Sequence, residues 1–148
     1  MRILDLEKLA SQEDTVGLIL DEVAEDIKIV DNHARKLKDN LCNNPEANKI
    51  AQSKLTGAFN NLRTALSVVA VAKTNKELRL YYEEKEQIES EGKKFNSTAT
   101  KEKQRAVTNE WRRVKNYLEA YKEAAEKDII TLQSMLKDTN REQGHHTE

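Results

Sequence analysis

The sequence predicts an all-α fold, an elongated antiparallel three-helix bundle with a two-helix coiled-coil hairpin extension. Three observations carry this reading. Four glycines and one proline in 148 residues are too few for an all-β chain, which turns every ~8–12 residues. Apolar residues recur at alternating steps of three and four along most of the chain, the spacing of a packed helical face. The turn-forming residues gather at two places, Cys42-Asn43-Asn44-Pro45 and the stretch from Glu91-Gly92 to Thr98, which leave three long segments.

Taken in order, residues 1–13 form an N-terminal arm whose Ile3, Leu4, Leu6 and Leu9 make a short amphipathic stretch. It is expected to fold back over the base of the hairpin. Ser11 and Asp14 resemble a capping box that opens the first helix, about residues 14 to 42. Its seam is Val16, Leu20, Val23, Ile27, Val30, Ala34, Leu37 and Leu41. Pro45 suits the first turn of the second helix, about residues 46 to 91, with the seam Ala51, Leu55, Ala58, Leu62, Ala65, Val69 and Ala72. Phe59, Leu66, Val68 and Val71 widen that apolar face, and a face this wide needs two neighbours. Gly92 is the expected helix stop, and Ser97, Thr98 and Thr100 offer oxygens to cap the third helix, about residues 99 to 140. That helix carries Val107, Trp111, Val114, Leu118, Tyr121, Ala125, Ile129 and Leu132, with Asp128 beside the seam. Residues 14–140 thus make the bundle, and 141–148 a disordered tail.

Helix lengths set the architecture. At 1.5 Å per residue the three helices measure roughly 43, 69 and 63 Å. The first is short by about three turns, so the second and third continue past it as a hairpin. Folding that hairpin about residue 95 places Tyr81 and Tyr82 opposite Glu110 and Trp111, near the point where the first helix runs out.

Charge is near neutral, with 25 Lys+Arg against 26 Asp+Glu, which argues against a globally basic nucleic-acid coat. The charges are nonetheless in blocks. Residues 83–91 hold five acids and one base, and 98–115 hold two acids and six bases. Across the hairpin, Glu83, Glu84, Glu86, Glu89 and Glu91 are expected to pair with Lys101, Lys103, Arg105, Arg112 and Arg113. The competing reading is a basic tip, Lys93, Lys94, Lys101, Lys103, Arg105, Arg112 and Arg113, that contacts phosphate or an acidic partner, with Phe95 available to stack.

Reactive chemistry is sparse. Glu22, Glu25 and Asp26 share a helix face and read as a solvated acidic surface near a helix start. A di-metal bundle needs Glu-x-x-His motifs on two helices, which the chain does not have. His33 follows Val30 rather than an acid, and His145-His146 read as tail. Cys42 is nine residues from His33, too far along a helix for a nucleophile and its base. One cysteine excludes an intramolecular disulfide framework. No catalytic residue, cofactor or metal is expected. No apolar run approaches the ~18 residues of a membrane span, and the charged start does not read as a signal peptide, so membrane insertion is not expected and a cytoplasmic location is.

In helix order, and in the runs Val23, Ile27, Val30, His33, Leu37 and Val114, Leu118, Tyr121, the chain resembles the three-helix regulatory domain of syntaxins, with a longer second helix. The resemblance implies a bundle fold and names no partner. The expected function is a non-enzymatic interaction or scaffolding (adaptor) protein that works through coiled-coil-like protein contacts or self-association as an oligomer. Its expected partner-binding residues are Tyr81, Tyr82 and Trp111. The alternative is a nucleic-acid accessory protein, a packaging or recombination helper, that uses the basic hairpin tip and the start of the third helix.

Overall fold

A computed structural model describes residues 16 to 145. The proposed arm of residues 1–13 lies outside these. Among the described residues there are five helices and no strand: α1 Val16–Glu22, α2 Ala24–Lys38, α3 Pro45–Ser90, α4 Ser97–Val107 and α5 Asn109–His145. None is long and apolar enough to cross a membrane. The five helices build three rods. Backbone bonds run through the single break at Val23, whose N–H donates to the Ile19 carbonyl and whose carbonyl accepts from Ile27. They run likewise through Thr108, bonded to Gln104 and Arg112.

Local chemistry explains the two sharp reversals. The α2 end carries a left-handed residue, Asn40, at φ 60°. Its N–H reaches Leu37 and that of Leu41 reaches Lys36, which together satisfy two otherwise orphaned carbonyls. Asn tolerates this conformation because its short side chain bonds locally. The first helix therefore ends at Lys38, and Leu41, predicted on the seam, is exposed. Asn44 then caps α3 by accepting from Glu46 and Ala47, with Pro45 in the first turn. The α3 end repeats the motif with Gly92 at φ 73°, bonded to Glu89 while Lys93 bonds to Ile88. The cap of α4 is Asn96, which accepts from Thr98 and Ala99. Asn96 takes the role expected of Ser97, Thr98 or Thr100, and the helix starts two residues early.

The tight turn at Pro45 sets α1 and α2 against the first half of α3. Asn61 of α3 bonds Asp26 of α2, and Tyr121 of α5 bonds Asp31. Leu20, Ala24 and Ile27 line one pocket together with Arg113, Val114 and Tyr117 of α5. The α1–α2 rod thus runs antiparallel to α3 and in the same direction as α5. The apolar core comprises Ile19, Val23 and Val30 of this rod, Leu55, Leu62 and Val69 of α3, and Trp111, Val114, Leu118 and Leu132 of α5, with small residues between. The α3 seam is buried as predicted from Leu55 to Val69, with its ends Ala51 and Ala72 half-buried. The first-rod seam holds only in part: Val16, Val23 and Val30 are buried as expected, but so are Ile19, Asp26 and His33, while Leu20 and Ile27 are only half-buried and Ala34 is exposed. A rod that touches two neighbours buries the residues pointing between them, which here lie one position from the apolar line. On the third rod Val107 is likewise exposed, and Thr108 takes its place inside. Helix α5 continues to His145, beyond the predicted end.

Candidate interaction surfaces

Buried and half-buried polar groups cross the three-rod end of the bundle. Asp26 accepts from the Asn61 amide at 3.2 Å, and the Tyr121 hydroxyl lies 3.1 and 3.3 Å from the two Asp31 oxygens. Burial, and then donation to Asp31, push the Tyr121 hydroxyl from 10.0 up to about 12. Tyr117 stacks edgewise on Tyr121. His33 is 4% exposed, and its Nε2 is buried with no hydrogen-bond partner. Burial lowers the His33 pKa, partly opposed by the facing charge of Asp128 on α5. Burial raises the Asp128 pKa, and also that of Asp26. Asp26 is thus no part of a solvated acidic face, although Glu22 and Glu25 are exposed. Among the described residues no three His, Cys, Asp or Glu side chains gather as a metal site. Cys42 is a free, half-buried thiol at the α2–α3 turn.

A second polar cluster latches the extension. The Thr108 side chain is fully buried, with its hydroxyl 3.0 Å from Glu77 Oε1 and 2.7 Å from the Gln104 carbonyl. Lys73 approaches the same Glu77 oxygen at 3.3 Å, and the Gln104 amide donates to the Glu77 carbonyl. Further out Lys103 pairs with Glu84 at 2.8 Å. These contacts fold the hairpin about residue 93, because Asn96 starts α4 early. Trp111 therefore lies level with residues near 75, roughly 9 Å down the helix from Tyr81.

This register separates the three predicted partner-binding aromatics. Trp111 is 5% exposed and belongs to the core. Tyr81 turns toward the tip, edge-on to Phe95 with ring centres 5.2 Å apart, and edge-on to Tyr82 at 5.5 Å. Lys85 lies over the outer Phe95 face, 5.9 Å from its centre. Phe95 is thus engaged rather than free to stack on a base. Tyr82 is 62% exposed. On the same line of α3 lie Leu78, 50% exposed, and Val71, 59% exposed. Steps of seven and four residues keep these three within about 40° of arc. Val71, predicted to widen the core face, instead opens this outer stripe.

The predicted charge ladder is mostly unmade. Glu84 with Lys103 is the one cross-hairpin ion pair among the described residues, and Lys93 pairs locally with Glu91 at 3.4 Å. Lys94, Lys101, Arg105 and Arg113 are exposed and Arg112 is half-buried. Arg113 stands apart from the tip, beside Leu20, Ala24 and Ile27. Sequence reasoning missed Leu78 and Val71 as surface residues, and Thr108 and Asp26 as buried ones. The signal for Thr108 was present, since Val107 and Thr108 are adjacent candidates for one inward position. No protein-family model, curated protein or solved structure matches this chain.

Proposed function

We propose that this chain is a non-enzymatic interaction module of the cytoplasm, a scaffold or adaptor whose working surface is the outer α3 face of the two-helix extension. The observation that carries this reading is the stripe of Val71, Leu78 and Tyr82, three large apolar side chains at least half exposed on one helical line. Single exposed apolar residues need no explanation, but an aligned set on a rigid helix is the form in which helices recognise other helices. Trp111, inside the core, supports the extension and does not touch the partner. The test is photo-cross-linking from Tyr82 in extract, compared with exposed Glu126 on α5. A discrete product from Tyr82 alone, whether with this chain or with another, is expected. Equal or absent cross-linking from both positions refutes the reading.

A nucleic-acid accessory role is the second reading. It rests on Lys101, Arg105 and Arg112, which follow one another at helical spacing and make no ion pair among the described residues. Retardation of single- or double-stranded nucleic acid at about 50 mM salt, lost as salt rises, would support it. No shift under those conditions removes it.

A further inference from the structure

The end of the bundle away from the hairpin tip brings together the last turns of α2, the first turns of α3 and the stretch of α5 around Arg141, which the hairpin sets level with Pro45. Arg35, Lys36 and Lys38 of α2, Lys49 of α3, and Lys137 and Arg141 of α5 lie within about two turns of this level, and all are exposed. Lys49 pairs with Glu46, and the other five make no ion pair with another described residue. The exposed acids of the same end are Asp39, Glu46 and Asp138, so bases outnumber acids among its described side chains. This end also carries the most exposed large apolar side chain among the described residues, Leu41 at 65%. Leu41 stands in the turn itself, held there by its N–H bond to the Lys36 carbonyl. Ile50, also largely exposed, follows about one turn up α3. The hairpin tip is different: Glu89 and Glu91 accompany Lys93 and Lys94, and Phe95 is engaged by Tyr81 and Lys85.

We infer that this end of the bundle seats on an anionic lipid surface, with Leu41 entering the headgroup region and the bases around it meeting the lipid charges. An excess of bases alone would suit a nucleic acid equally well. A projecting leucine at their centre decides between the two, because an apolar side chain in the interface and cations just above it reinforce each other on a bilayer, whereas a phosphate backbone offers Leu41 nothing. The contact is peripheral, since no described helix is long and apolar enough to cross a membrane. A bundle seated this way stands on its end. Val71, where the outer stripe begins, is then about 39 Å up α3 from Pro45, so the lipid contact leaves that stripe open and stands or falls independently of it.

Vesicle flotation of the full chain tests this seat. Vesicles of phosphatidylcholine alone are compared with vesicles holding about one-third phosphatidylserine, at about 0.1 M salt. The expected result is flotation with the anionic vesicles only, lost as salt rises. Leu41→Ser should weaken it about fivefold, and Lys36→Glu with Lys38→Glu at least about tenfold. Lys101→Glu with Arg105→Glu, on α4, should leave it unchanged. All these positions are exposed, and helical circular dichroism shows that each variant is folded. On a Cys42→Ser background, an environment-sensitive fluorophore attached through Leu41→Cys should shift to the blue on anionic vesicles, and one attached through Tyr82→Cys should not. Wild type that does not float with anionic vesicles overturns the inference. So does flotation that survives the Leu41 and Lys36/Lys38 changes, or that is lost with Lys101 and Arg105. Retardation of duplex DNA that needs Lys36 and Lys38, without any flotation, gives this end to nucleic acid and overturns the inference as well.

Discussion

Replacing His33 by leucine should make this protein more stable, and less sensitive to acid. The imidazole is 4% exposed and its Nε2 is buried without a partner, a situation that costs about 1–3 kcal/mol. Leucine is of similar size and carries no polar atom, and a repacking penalty of up to about 1.5 kcal/mol acts against it. The net expectation at about pH 7.5 is a gain of about 1 kcal/mol, or roughly 3–5 °C in Tm for a chain of this length. The pH dependence follows from the sign of the shift. Burial holds the His33 pKa below 6.5 in the folded chain, so in the window below that value the unfolded chain binds more protons. Wild-type stability therefore falls as pH drops through that window, with a slope of at most about 1.4 kcal/mol per pH unit from this one group. Asp128 and Asp26 act the other way. Their folded pKa values lie above 3.8, so their protonation favours the folded chain as pH falls further. The groups that face His33 electrostatically are Asp128 on α5 and Lys36 on α2. Urea denaturation followed by circular dichroism at several pH values gives the profile. A His33→Leu protein less stable than wild type at about pH 7.5, or one that keeps the full acid slope between about pH 7 and 5, would refute the argument.

Thr108→Val should cost about 1.5–3 kcal/mol, because it takes a buried donor from the Glu77 carboxylate; a double-mutant cycle with Glu77→Gln should show coupling above about 0.5 kcal/mol by urea denaturation. Gly92→Ala should cost about 1 kcal/mol, since the residue sits at φ 73°. Thermal melting should show this loss, with no loss on Asn40→Gly at the equivalent position of α2. Trp111→Ala should lower stability by about 3–5 kcal/mol, whereas Tyr82→Ala should change monomer stability by under about 0.5 kcal/mol; comparable losses for both would contradict their assignment to core and surface.

The existence and order of the three rods were legible because they depend on periodicity and on a few special residues, whereas the breaks at Val23 and Thr108 that make five helices of them were not. The second-helix seam from Leu55 to Val69 is buried as the spacing predicts. What periodicity could not resolve was a choice between neighbouring residues. In the first rod the apolar line through Leu20 and Ile27 competes with one through Ile19, Asp26 and His33, and counting apolar residues selects the first. The folded chain buries the second as well because α3 and α5 both press on it, and because Asn61 supplies Asp26 with a bond that no local rule reveals. The aromatic site failed for a smaller reason. An Asn cap at residue 96 starts α4 early and moves the hairpin axis, and a shift of this size along a long hairpin separates Tyr81 from Trp111.

The two departures from simple patterning, polar groups inside the bundle and apolar groups outside the extension, are linked through register. The first described residue of that rod, Val16, lies level with residues near 71, where the exposed stripe begins. Sliding that rod one heptad toward the tip moves it about 10 Å, which lays α1 beside the residues that flank Leu78. The same slide carries Asp31 away from Tyr121 and buried Asp26 away from Asn61, which leaves Asp26 without its partner at a cost of about 1–3 kcal/mol and the three half-buried groups at a smaller one. A uniformly apolar seam of Val, Leu and Ala imposes no such penalty, since any heptad slip replaces one apolar contact by another. The polar pairs thus fix the register of the first rod against α3 and α5. In a long bundle with a repetitive seam, polar bonds of modest net stability therefore decide which of several apolar registers the rods adopt.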